Sequence, residues 1–170
     1  MLPDPLHPVV VHLPMALAVL LPLSALVALW AIHRGARPMH AWAVPVALAV
    51  LLSGNAWLAM ETGEAEEDRV EAVVPEAAIH THEEAAERFL LLAGVVTLVS
   101  LAGLGEGTVG SAGRLLATVG TVLVLVAGVQ VGKAGGELVY SHNAGAAYSV
   151  SPASGGPGEE VVERPKRDGH

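Results

Sequence analysis

Four apolar runs divide the chain: residues 8–32, 41–60, 85–104 and 115–132. Each is close to the roughly 20 residues that a helix needs to cross a bilayer. None carries the continuous polar stripe of a helix with a water-facing side, so two soluble helical hairpins explain the pattern poorly. The third run is uninterrupted only from Phe89, which puts Glu87 and Arg88 at the membrane interface. Pro8, Pro14 and Pro22 in the first run and Pro45 in the second predict kinks, with Pro8 suited to the first turn of a helix. The pattern predicts an all-α fold, an integral membrane four-helix bundle over residues 1–150. A polar tail rich in Pro and Gly, residues 151–170, is expected to be disordered.

Composition strengthens this reading. Apolar residues make up 52% of the 170, charged residues 15% and aromatics 4%, with a mean hydropathy of +0.53. Leu, Val and Ala therefore supply the apolar mass, as suits helices facing lipid. The first run has no positive stretch before it, and its nearest cations, Arg34 and Arg37, follow it, so it is expected to be a retained span and not a secretory signal.

Charge predicts the direction of the chain. The loop after the first run carries Arg34 and Arg37, and the loop before the fourth ends in Arg114. The loop between the second and third runs holds ten acids against two arginines. Positive loops stay on the cytoplasmic side, so both termini and the acidic loop are expected outside, in a bacterial plasma membrane. Arg164, Lys166 and Arg167 in the tail pull the other way. Within the acidic loop, Val70, Val73 and Val74 have the spacing of a short amphipathic surface helix that Pro75 ends. Thr81 and Glu84 read as the N-cap and capping-box partner of the third long helix, and Glu84 with Arg88 as an i,i+4 pair.

The histidines are the candidate chemistry. Of eight, His33 and His40 flank the first loop and His170 ends the chain, while His7, His12, His80, His82 and His142 fall at the outer ends of the spans. The chain has no cysteine, which removes disulfides, thiolate metal sites and covalent c-type haem. On one helix, five residues turn by about 140°, so His7 and His12 cannot both face one point. His12, one turn inside the span, is the expected inward ligand from the first helix, with His82 as its partner from the third. Asn55, Glu61, Gln130, Lys133 and Glu137 lie at the same level, and Met15 and Met60 are possible soft ligands. Gly128, Gly132 and Gly136 repeat a G-x-x-x-G pattern. That pattern serves close helix approach or makes room for a flat macrocycle.

The boxes "LHPVVVHLP", "SGNAWLAMETGE" and "GGELVYSHNAGAAY" together resemble a family of bacterial four-helix predicted membrane proteins of unknown function. Its marks are an H-P-x-x-V-H-x-P opening box and a G-G-x-L-V-Y-x-H closing box. The resemblance covers residues 6–150 and implies the four-helix fold and a histidine set of His7, His12, His82 and His142. The family usually has Gly after the closing histidine, where this chain has Asn143. Some such proteins, joined to cytochrome-like modules, suggest a redox setting, which is analogy.

Three functions are open to such a chain. The first is a haem b electron-transfer protein with His12 and His82 as axial ligands, His7 and His142 assisting, and a quinone or a periplasmic redox protein as partner. The second binds or transports a divalent ion, Zn²⁺ or Cu²⁺, at the same histidines. The third is an accessory subunit, possible as a homo-oligomer, whose histidines cap helix ends. Ser53 and Ser100 have no base at hand and no catalytic motif stands out. A net charge of −8 without a basic patch argues against nucleic acid.

Overall fold

The computed structural model describes residues 5–148; the tail from residue 151 lies outside them. The elements are α1 (His7–Val10), α2 (His12–His33), α3 (Pro38–Glu64), α4 (Glu67–Glu71), α5 (Glu76–Ala102), α6 (Gly107–Tyr140) and a closing 3₁₀ turn, Ala144–Tyr148. Four stretches are long and apolar enough to cross a membrane: His7–His33, Pro38–Glu64, Glu76–Ala102 and Gly107–Tyr140. Only 22–33% of each apolar window is buried inside the bundle. The rest faces outward, as a bilayer would require. The chain has the build of a multi-pass membrane protein.

The long helices run up and down in sequence order, and α6 closes the ring by packing on α2 as well as α5. Leu6, the acidic loop and Tyr148 therefore meet at one end, the histidine end. The α2–α3 and α5–α6 turns lie at the other.

Packing is built on small residues. Ala18, Ala49, Ala93 and Ala127 lie in the central core with Leu21, Leu52, Phe89 and Val124. Lipid tails are as apolar as Leu, so contact between spans comes from close fit and shared hydrogen bonds. Ser53 and Thr97 bond across α3 and α5 at 2.9 Å, and the buried Trp42 donates Nε1–H to the Ser100 carbonyl at 3.0 Å. At the far end the buried Arg114 donates to the Gly103 carbonyl at 2.6 Å and the Gly105 carbonyl at 3.1 Å. It thereby satisfies carbonyls left over where α5 stops.

Two local features depart from sequence expectation. The first span is broken at Val11 into α1 and α2. Pro14 has no N–H to give the Val10 carbonyl four residues back, and its ring crowds that oxygen. The third long helix begins at Glu76, with Pro75 as N-cap, and not at Thr81. Thr81 lies inside the helix and donates its hydroxyl to the Ala77 carbonyl at 2.8 Å, so it cannot be the cap. The short acidic helix does form, as α4, and Arg88 does meet Glu84, at 2.7 Å. Of the valines after it, Val70 and Val74 pack with Ile79, Leu138 and Ala144, while Val73 is exposed.

Glycine replacement separates tight from open positions. A Cβ on Gly113 would stand 2.8 Å from the Gly103 nitrogen and 3.0 Å from the Ala102 carbonyl carbon, both backbone. Nothing lies within 4 Å of a Cβ on Gly54. We expect Gly113→Ala to destabilise by about 1–3 kcal/mol through overpacking. Gly54→Ala should be neutral or stabilising by up to about 1 kcal/mol, from helix propensity. Thermal unfolding of the two variants in detergent checks the contrast.

Candidate functional site

Val11 keeps helical dihedrals, φ −62° and ψ −21°, so the five residues from His7 to His12 still turn the two rings to different sides. His7, on α1, turns inward and meets His82 of α5, with ring centroids 6.2 Å apart and planes at 87°. His12, the expected inward ligand, is exposed on the first turn of α2. The pair that the fold brings together is thus His7 and His82. His80 is exposed beside Glu84, at 3.7 Å. His142, half-buried after α6, does not line the cavity that His7 and His82 share.

Each of the paired imidazoles rests on a glycine. His7 lies over Gly63 of α3 and His82 over Gly135 of α6, each with its Cε1 3.2 Å from where a Cβ would stand. Any side chain there would push the ring away. Gly128 and Gly132, by contrast, receive Phe89 and Met15. Those two glycines serve close packing, and their space is filled.

A hydrogen bond fixes one nitrogen of the His7 ring. His7 Nδ1 donates to the Ala59 carbonyl at 2.8 Å and lies 3.4 Å from the Thr62 hydroxyl. Its Nε2 then keeps the lone pair. The Nδ1 of His82 is buried with no hydrogen-bond partner among the described residues, which is costly for a polar atom. His7 and His82 both line one cavity.

That cavity, about 310 Å³, opens between α3 and α5 at the histidine end. Besides His7 and His82, its walls carry Met60 and four carboxylates, Glu64, Glu67, Glu83 and Glu87. Sequence reasoning singled out Glu61, which is exposed and does not line the cavity. The signal for the four lay in the acid count of the loop, but the spacing did not show which acids face the histidines. Among the described residues, no three His, Asp or Glu side chains are already gathered around one metal position.

Behind the cavity, Glu66 joins three parts of the chain. Its Oε1 accepts the Leu6 N–H at 2.7 Å and the His7 N–H at 3.1 Å, and its Oε2 accepts the Tyr148 hydroxyl at 2.5 Å. Partial burial pushes its carboxyl up, but the bonds from Tyr148, His7 and Leu6, with the charge that His7 can carry, outweigh this and hold it below the usual value of 4.5. Asn143 takes the left-handed conformation with φ 56°, a strain that Asn bears better than most residues.

No family model, curated protein or solved structure matches the chain.

The depressed Glu66 has a pH consequence. Its folded value lies below its unfolded one, so its stabilisation is complete above pH 4.5 and is lost as pH falls through the folded value. Melting temperature measured from pH 7 downward should drop in the acid range, and less steeply in Glu66→Gln than in the wild type.

Proposed function

We propose that this membrane protein binds a divalent transition-metal ion at its histidine end, with His7 and His82 as the two imidazole ligands. One observation carries the reading. Two imidazoles from different helices meet at the wall of a cavity rimmed by carboxylates, and the His7 ring is held through Nδ1 by the Ala59 carbonyl. A hydrogen bond from the far nitrogen to a carbonyl is the usual support of a metal-bound histidine, because it sets tautomer and orientation. Zn²⁺ and Cu²⁺ take imidazole and carboxylate together. A rim carboxylate, Glu64, Glu67, Glu83 or Glu87, would complete the shell.

The protein holds the ion and does not pass it across. Between the histidine end and the far turn the buried hydroxyls of Thr118 and Thr121 bond to carbonyls of their own helix. Beyond them stands Arg114, 5% exposed, whose charge repels a cation. The acidic loop, outside by the positive-inside rule, would gather ions from the periplasmic side.

Haem b is the second reading, favoured by two imidazoles from different helices facing each other at one level. Its surroundings support it less. Four carboxylates repel anionic propionates, Gly128 and Gly132 are already filled, and about 310 Å³ is the small end of the roughly 300–1,000 Å³ of small-molecule pockets.

Calorimetric titration of the detergent-purified protein with Zn²⁺ and Cu²⁺ tests the proposal. Saturable binding of one ion is expected, weakened at least about tenfold in His7→Ala and in His82→Ala and unchanged in His12→Ala. Absence of binding, or equal binding in all three variants, would overturn it. Soret and α/β bands in protein from haem-supplied cells would transfer the site to the second reading.

A further inference from the structure

We infer that Glu66 is the positioning residue of the histidine site, and that through it Tyr148 ties the site's readiness to the docking of the closing turn. The inference rests on the metal-binding reading above.

His7 is the least anchored part of the site by covalent means. It stands on the four-residue α1, before the turn at Val11, with no side-chain cap of its own. The first turn of any helix leaves backbone N–H groups without partners, and at a membrane surface those groups must find an acceptor or water. Glu66 supplies the acceptor from 60 residues away. One carboxylate oxygen takes both the Leu6 and His7 amides, which fixes the backbone from which the His7 ring hangs. The ring then lands on the Ala59 carbonyl and against Gly63. Glu66 does not line the cavity. It acts on the site only through His7.

The other oxygen faces the end of the described chain. Tyr148 donates to Oε2, and the Arg69 guanidinium lies 5.5 Å from its ring centroid. Ala144 of the same turn is buried with Val74 and Ile79. The closing turn is therefore packed onto the acidic loop, and its phenol orients the carboxylate that holds His7. Undocking the turn would release one side of Glu66 and let α1 move. A partner that captured the closing turn would in this way loosen the metal without touching a ligand.

The test uses the full chain in detergent and Zn²⁺ as the probe. Glu66→Ala should lower Zn²⁺ affinity about 10–100-fold, the usual effect of removing a group that supports a ligand. Glu66→Gln should restore most of the loss, since its amide oxygen still accepts both backbone N–H groups. Tyr148→Phe, outside the cavity, should cost about two- to tenfold, as the loss of one hydrogen bond would. A merely structural role would not move the His7 tautomer, so ¹⁵N spectra of the imidazoles, assigned with His7→Gln, provide the second readout. The Nδ1–H form of His7 should persist in the wild type and in Glu66→Gln and give way to tautomer averaging in Glu66→Ala. Wild-type affinity and an unchanged His7 tautomer in folded Glu66→Ala and Tyr148→Phe would overturn the inference. If the wild type binds no Zn²⁺ at all, the metal reading fails, while the tautomer spectra still decide the role of Glu66.

Discussion

A chain inside lipid must satisfy its own backbone hydrogen bonds, and the rest of this structure follows from where it does so and where it stops. Helices satisfy every group along a span but leave open N–H and C=O groups at their ends. At the far end Arg114 closes the account, bonding to the Gly103 and Gly105 carbonyls where α5 finishes. At the histidine end the carboxylate of Glu66 does the opposite task, accepting the amides with which α1 begins. One buried cation and one half-buried anion thus terminate the bundle, each matched to the polarity of the helix end that it meets.

Between these ends, small side chains set how close the helices come. Gly103, Gly110 and Gly113 let the α5–α6 turn fold on itself with Arg114 inside. Gly63 and Gly135 do something different. They lie on α3 and α6, on two sides of the cavity, and each gives a flat seat to an imidazole. The bundle is tight at one end and deliberately open at the other, and the opening is where its polar chemistry collects.

Much of this was legible in the sequence, and what was not has a physical cause. The four spans follow from hydropathy alone, because length and apolarity leave a helix little choice in a bilayer. The level of the histidines followed from topology. Which histidine faces inward did not: five residues of helix put His7 and His12 on different sides, and Val11 keeps helical dihedrals between them, but rotation alone does not say which of the two meets α5. Thr81 failed as a cap because a good capping residue is only a local preference, and Pro75 had already capped the helix six residues earlier. The carboxylates around the cavity were hidden among ten acids, since a loop's fold and not its spacing selects which of them face inward.

His7 is held through Nδ1 by the Ala59 carbonyl of α3, while the ring of His82 packs against Gly135 of α6 with its Nδ1 buried and without a partner among the described residues. Their rings stand nearly perpendicular, so they do not stack away the space between them. Neither could be held this way by its own helix: α1 is too short, and His82 has no bond for its Nδ1. The site is therefore a property of the assembled bundle and its loop, with α3 and α6 orienting ligands carried by α1 and α5. A loop carboxylate that grips the first turn from outside, and a tyrosine that grips the carboxylate, extend the same logic one step beyond the membrane.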